Sequence, residues 1–240
     1  MLKLNNVTLL ALGSTEIQEN LMSLKYSMKN ISFGAVKFIS HEEPKNMPSK
    51  IKYEKFVGFD KINYEEFSYY CIYNLIEHVD TEFMLMIHPD GFVINPESWN
   101  NEFLDFDYIG APWPLKSDAF IDPFGNHQRV GNGGFTLRSR KVLETPRKYE
   151  VPFEVNEGDF YKHMNAGAYN EDGNICVHNK HIFEKNGCKF APVELAAKFS
   201  HEIPTPETKI VKKPFGFHRY FPGTYPRRFN FKRYNNESKK

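Results

Sequence analysis

The chain has 240 residues, of which 40% are hydrophobic and 25% are charged, and its formal net charge is +1. These proportions are ordinary for a globular protein and exclude a largely disordered chain. The length suits one α/β core. No apolar run approaches the roughly 20 residues that cross a bilayer. The first residues also lack the apolar stretch of a signal peptide. We therefore expect a cytoplasmic protein.

The three cysteines predict no covalent or metal framework. Cys71, Cys176 and Cys188 are far apart and include no Cys-x-x-Cys spacing. An odd, unclustered set argues against a disulfide scaffold and against a zinc site. We expect free thiols.

Positive charge is concentrated at the C-terminal end. From Lys212 to Lys240 the sequence has nine Lys or Arg and a single acid, Glu237. Such a segment suits phosphate groups, in a nucleotide, an anionic membrane surface or a nucleic acid. A solvated terminus is the alternative for the last ~10 residues. We expect peripheral membrane contact as one use of this tail, and no nucleic-acid partner. Aromatic residues between Phe215 and Phe231 predict that the earlier part packs onto the domain.

The first half alternates between short apolar runs and helical spacing. The predicted strands are 7–12, 35–39 and 83–87, and the predicted helices are 17–31 and 67–79. This alternation is typical of a parallel sheet with crossover helices.

After Asn95 the sequence predicts less regular structure. We expect a helix over 96–104, a loop or edge strand over 108–114, a strand over 135–138, a helix over 139–143 and an irregular stretch over 145–170. The predicted fold class is therefore α/β, Rossmann-like, with a single domain. A mainly parallel central sheet is flanked by helices, and the second half is rich in loops, where binding sites are often built.

The first candidate site residue follows the strongest predicted strand. Asp90 lies directly after the run that ends at Ile87, and ligands of parallel sheets bind outside the carboxyl ends of strands. A carboxylate there can hold Mg²⁺ or Mn²⁺ against a diphosphate. His88 lies two residues earlier, on the same side of an extended strand. An ordinary turn at Asp90-Gly91 explains the same pattern.

The second candidate site combines glycines with an acidic pair. Three of the four residues in the segment Gly131-Asn132-Gly133-Gly134 have no side chain, so the backbone there can approach a ligand closely. It is neither a Walker loop nor a dinucleotide fingerprint. Downstream, Glu171-Asp172 offers a carboxylate that can take a proton from an acceptor hydroxyl. A helix N-cap at Asp172 explains the same pattern, and such caps are far more frequent than catalytic bases.

A late histidine is the third candidate. His218 ends the run Pro214-Phe-Gly-Phe217, and a neutral imidazole is a good ligand for Mn²⁺. Arg219 beside it can contact a phosphate. A hydrogen-bonded structural histidine explains the same pattern.

Together, five ordered motifs resemble a known family. They are Asp90-Gly-Phe92, Tyr108-Ile-Gly-Ala-Pro-Trp113, Gly131-Asn-Gly-Gly-Phe-Thr-Leu-Arg138, Asn170-Glu-Asp172 and Phe215-Gly-Phe-His218. The set is similar to that of GT-A-like glycosyltransferases of bacterial surface-polysaccharide clusters and large algal viruses. The resemblance covers about residues 7–219. It implies a GT-A-like domain over 1–220, with a nucleotide-sugar half (about 1–95) and an acceptor half (about 96–220), followed by a basic tail over 221–240.

The resemblance also implies roles for matching positions. Asp90 resembles the last acid of the Asp-x-Asp motif that holds Mn²⁺ or Mg²⁺ on the donor diphosphate, and His88 stands where that motif has its first acid. His218 resembles the histidine that completes the metal ligands. Asp172 would be the catalytic base, with Glu171 holding an acceptor hydroxyl. The remaining implied contacts are Ala11, Leu12, Gly13 and Arg219 for the donor, and Trp113, Gly133 and Gly134 for the acceptor.

These roles predict an inverting transfer of a hexosyl or deoxyhexosyl group from a UDP-sugar or another nucleotide-sugar to a glycan, within polysaccharide biosynthesis. Two other functions fit the fold. A non-catalytic module that binds a glycan or nucleotide-sugar would explain the missing first acid at His88. A nucleotidyltransferase usually has a Gly-rich loop with Lys or Arg after the first strand, and the segment Leu12–Glu16 is not such a loop.

Overall fold

A computed structural model describes residues 1–115, 120–153 and 170–232. Its central strands are β1 (Leu2–Leu12), β2 (Ile31–Ile39), β3 (Lys52–Glu54), β4 (Phe83–Ile87), β5 (Tyr108–Ile109) and β6 (Phe135–Ser139). They form one sheet in the order β3-β2-β1-β4-β6-β5. The pairs from β3 to β4 are parallel, whereas β6 is antiparallel to both β4 and β5. The predicted mainly parallel α/β sheet is confirmed.

Short helices connect the strands. They are α1 (Ile17–Ser27), α2 (Tyr64–Tyr73), α3 (Arg140–Lys148), α4 (Glu171–Gly173), α5 (Lys180–Lys185), α6 (Val193–Phe199) and α7 (Pro206–Ile210). Shorter 3-10 segments are Leu75–His78, Pro96–Ser98 and Asn101–Asp105, and a π-helical segment is Asn174–His178. A second, two-stranded sheet pairs β7 (Ser200–His201) with β8 (Gly216–Phe217) in parallel. Among the described residues, no helix is long and apolar enough to span a bilayer.

The two faces of β1 divide the core into layers. Leu9 and Ala11 pack in a cluster with apolar residues of α1 and α6. Leu10 and Leu12 pack in a different cluster, with residues of α2 and α3. Successive side chains of a strand point to opposite faces, so a continuous apolar run predicts cover on both. Helices therefore flank both faces, as the sequence predicted.

The bounds of all four predicted helices are wrong. The helix predicted over 67–79 is α2, which begins at Tyr64 and ends at Tyr73, followed by the 3-10 segment Leu75–His78. The helix predicted over 17–31 ends at Ser27, because Asn30 takes a left-handed turn (φ 61°) and Ile31 begins β2. The helix predicted over 96–104 is two 3-10 segments. The helix predicted over 139–143 is α3, which continues through Pro146 to Lys148, and Ser139 is its N-cap. Residues 154–169, most of the predicted irregular stretch, lie outside the described residues.

Candidate functional site

Three segments that are distant in sequence meet where β4 ends. Ile87, the last residue of β4, pairs with Phe135, the first residue of β6, so the glycine-rich segment before β6 lies beside the segment after β4. An isolated bridge between Val93 and Gly216 brings β8 to the same place. This register places residues 88–90, 131–134 and 218 at one edge of the sheet.

A cavity of about 570 Å³ opens at this edge. The predicted residues Trp113, Gly133, Gly134, Glu171, Asp172 and Arg219 line it, together with the three predicted metal ligands. Leu12 and Gly13 line a cavity of about 360 Å³, which shares Tyr64, Phe67 and His88 with the first. Ala11 is fully buried inside β1, and is not among the residues that line either cavity.

Trp113 offers little surface to an acceptor. Its side chain is only 3% exposed, and the ring of Phe120 stacks on it with a centroid distance of 4.3 Å. Phe120 also lines the cavity.

The predicted metal ligands form one cluster. His88, Asp90 and His218 each offer a ligand atom, and these atoms lie within 4.8 Å of one another. Nε2 of His218 is 3.5 Å from Oδ1 of Asp90. Nε2 of His88 is buried and has no hydrogen-bond partner among the described residues. Buried polar atoms are rarely left unpaired, so this nitrogen fits the role of a metal ligand. Two imidazoles with one carboxylate suit Mn²⁺ better than Mg²⁺.

The histidines differ in the charge that their surroundings favour. Burial, and then the neighbouring His218, lower the pKa of His88 to about 4, so it is neutral at pH 7, as a metal ligand must be. Burial alone would lower the pKa of His218. The hydrogen bond that its Nδ1 donates to Glu202 (3.3 Å), and the charges of Asp90 and Glu202, raise it overall. Glu202 thereby orients the His218 ring, as a carboxylate behind a ligating histidine does.

The two adjacent glycines are needed for close approach. A Cβ atom at Gly134 would lie 2.1 Å from Nε2 of His218, and one at Gly133 would lie 1.6 Å from Oε1 of Glu171. Real Cβ contacts are longer than this, so a side chain at either position would displace its neighbour. The absence of a side chain at Gly134 therefore leaves room for His218 in the cluster of predicted metal ligands. The absence of a side chain at Gly133 leaves room for Glu171.

This difference predicts different effects of two neighbouring substitutions on Mn²⁺ binding. We expect Gly134→Ala to weaken Mn²⁺ binding by about tenfold or more, because it moves a ligand. Gly133→Ala is the matched control, since its clash is with Glu171, and it should retain Mn²⁺ affinity. Calorimetric titration of both folded variants with Mn²⁺ measures this. Equal affinities in the two variants would contradict the assignment of His218 as a ligand.

Glu171 has a structural partner that the sequence did not predict. Oε1 of Glu171 is 3.3 Å from Nη2 of Arg138, and both side chains are buried. Arg138 also donates to the carbonyl of Cys71. Removing one member of a buried ion pair leaves an uncompensated charge, which costs about 3–5 kcal/mol. Glu171 therefore compensates the buried charge of Arg138, in addition to lining the cavity.

Asp172 is not a helix N-cap. The N-cap of α4 is Asn170, and the Asp172 carboxylate accepts hydrogen bonds from the backbone N–H groups of Gly133 (3.2 Å) and Gly173 (2.8 Å). Burial raises the pKa of Asp172 to about 7, and the charges of Glu171 and Glu202 add to this effect. A carboxylate with such a pKa can exchange a proton near neutral pH.

Sequence reasoning missed several residues of the site, among them Glu202, Tyr64 and Arg228. Glu202 lies in no motif. Tyr64 lines both cavities and donates to Oδ1 of Asn170 (2.7 Å). Arg228 lines the larger cavity from the C-terminal segment. The sequence feature that could have indicated Arg228 is the pair Arg227-Arg228 within the basic segment.

Comparison with known proteins gives one family match. Residues 64–218 match the model of a family described as "Protein of unknown function (DUF5672)". No curated protein matches the chain. One similar solved structure is titled "Crystal structure of a glycosyltransferase involved in the glycosylation of the major capsid of PBCV-1". It is 12% identical, with a TM-score of 0.49, over 88% of this chain and 91% of that one. The family match covers more than half of the chain, which therefore belongs to the DUF5672 family.

Proposed function

We propose that this chain is a metal-dependent glycosyltransferase of the GT-A type, which moves a hexosyl or deoxyhexosyl group from a nucleotide-sugar to a hydroxyl of a glycan. One observation carries the proposal. A carboxylate with a pKa near 7, Asp172, lines the same cavity as a cluster that fits a divalent metal. Acceptor deprotonation and leaving-group stabilisation are the two tasks of sugar transfer, and these groups suit them.

The donor would occupy both cavities. His88, Asp90 and His218 would hold Mn²⁺, which when bound supplies Lewis-acid stabilisation of a diphosphate. Arg219 lines the same cavity and adds positive charge near the phosphates. The smaller cavity, bordered by Leu12 and Gly13, would take the nucleoside, in the proposed nucleotide-sugar half over about 1–95.

The acceptor would enter from the side of the glycine-rich segment, in the proposed half over about 96–220. Asp172 takes the proton of the acceptor hydroxyl as its oxygen attacks the anomeric carbon. A new carbon–oxygen bond forms there while the bond to the donor phosphate oxygen breaks, and the nucleoside diphosphate leaves with the bonding electrons. We propose attack from the face opposite the leaving group, which inverts the anomeric carbon. Retained configuration in the product, measured by NMR, would contradict inversion.

The raised pKa of Asp172 predicts a pH dependence. A base must be ionised, and a carboxyl group is protonated below its pKa, so transfer should rise with pH through about 7. We expect the rate at pH 8 to exceed that at pH 6 by roughly tenfold. A pH–rate profile measures this, with Asp172→Asn as the control, whose low residual rate should lack the same limb. A wild-type rate that is flat between these values would contradict the assignment.

The proposed metal ligands also fit one other class of enzyme. Two histidines and one carboxylate are also the donor set of non-haem iron(II) oxygenases. That function leaves the acid Asp172 and the adjoining nucleoside-sized cavity unused, so we rank it second. Oxygen uptake that depends on Fe²⁺, without release of a nucleotide from any nucleotide-sugar, would favour it.

A binding screen tests the proposal directly. Nucleotide-sugars should raise the melting temperature only when Mn²⁺ is present, since ligands that bind the folded state stabilise it. At 100 times the Kd the expected rise is roughly 5–10 °C for a chain of this size. A panel of UDP-, GDP- and dTDP-sugars that gives no metal-dependent rise would contradict the proposed donor site.

A further inference from the structure

The chain continues past the family match and returns to the cavity that His88, Asp90 and His218 line. The match ends at residue 218. The N–H of Arg219 donates to the carbonyl of Asp90 (2.8 Å), and the N–H of Phe229 donates to the carbonyl of Arg219 (2.8 Å). Tyr220 and Arg228 form an antiparallel bridge. Residues 219–229, which we name the C-terminal hairpin, are thereby attached to the loop that carries Asp90.

Aromatic packing holds this hairpin in place. The ring of Phe231 stacks on that of Phe92, with a centroid distance of 5.4 Å and an interplanar angle of 13°. Phe229 contacts Phe92 edge-on at 5.0 Å and Phe217 at 5.5 Å. Phe92 is two residues after Asp90, and Phe217 directly precedes His218. The hairpin and the metal ligands therefore share one small core, and the position of one depends on the other.

The hairpin places at the cavity a positively charged side chain, Arg228, that has no ion-pair partner among the described residues. Among the described residues, four carboxylates line the cavity, from Asp90, Glu171, Asp172 and Glu202. Arg219 is 3.7 Å from Glu202 and is partly compensated by it. Arg228 lines the same cavity, is exposed, and forms no ion pair with any residue in the described part of the chain. Its charge is available to an anionic ligand.

We infer that Arg228 binds the phosphate oxygens of the donor diphosphate, in the cavity that His88, Asp90 and His218 also line. The inference rests on the proposed function, because it needs a diphosphate in this cavity. Arginine binds phosphate oxygens through two parallel N–H groups, and such contacts are stronger than neutral hydrogen bonds. The C-terminal hairpin is thus a part of the donor site that lies outside the family match.

Calorimetric titration with inorganic pyrophosphate, at saturating Mn²⁺, tests this inference without any need for the sugar or the acceptor. We expect Arg228→Ala to weaken pyrophosphate binding by about tenfold. Arg228→Lys, which keeps the charge but not the paired N–H groups, should lose less. Arg227→Ala is the matched control. Arg227 is adjacent, is exposed, and is not among the residues that line the cavity, so this variant should stay within about twofold of wild type.

The outcomes separate this inference from the proposed function. Wild-type affinity in Arg228→Ala would overturn the role of Arg228 while leaving the donor site intact. Equal losses in the Arg227 and Arg228 variants would show only a general effect of charge and would also overturn it. If folded wild-type protein binds no pyrophosphate with Mn²⁺, the proposed donor site itself fails.

Discussion

Asp172→Asn is expected to slow sugar transfer by about 10²-fold or more while leaving donor binding intact, since this is the usual cost of losing a general base. The amide has nearly the shape of the carboxylate and keeps one oxygen that can accept from Gly133 or Gly173. It cannot take a proton from an acceptor hydroxyl. Because the proposed donor contacts come from other residues, nucleotide-sugar affinity should be unchanged.

Single-turnover transfer and calorimetric donor binding, measured on the same preparation, separate the two effects. Asp105→Asn is the control, because Asp105 is exposed and does not line the cavity. That variant should transfer at the wild-type rate. Near-wild-type transfer by the Asp172 variant would remove Asp172 as the base.

Asp90→Ala should abolish the Mn²⁺-dependent part of donor binding, a loss of more than about 100-fold. Asp90 is the only carboxylate in the three-residue cluster, and two neutral imidazoles alone do not balance the charge of a divalent ion. The fold should survive, because the backbone carbonyl of residue 90 still accepts from Arg219. Circular dichroism and melting temperature check this.

The matched control is Asp105→Ala, which removes an exposed carboxylate of the same size away from the cavity. It should bind donor and Mn²⁺ as wild type does. If Asp90→Ala keeps wild-type affinity for a nucleotide-sugar with Mn²⁺, the metal site lies elsewhere.

The sheet was predictable because its signals are local. The run Phe83–Ile87 was predicted with the bounds that the structure has, since a short apolar run before a turn leaves few alternatives. Asp90 was predicted from the general rule that sites follow strand ends. Helix ends were less predictable. Ile31 fits the helical spacing of α1 and also the apolar run of β2, and only the turn at Asn30 decides between them.

The contacts that complete the site depend on tertiary structure. Arg138 was visible within a motif, but its partner Glu171 lies 33 residues further along the chain, and no local pattern connects them. Glu202 orients His218 only because β7 pairs with β8. The clashes that require Gly133 and Gly134 involve the side chains of Glu171 in α4 and of His218, directly after β8. Such requirements become visible only when the segments are placed together.

Release of a nucleoside diphosphate from a nucleotide-sugar, assayed with Mn²⁺, tests the central claim most directly: that one cavity both binds and activates the donor. We predict that wild type releases the diphosphate from at least one sugar donor, slowly to water and faster with a glycan acceptor, and that chelation of the metal stops the release. Tight, metal-dependent binding with no release from any donor would contradict catalysis and would identify a binding module instead.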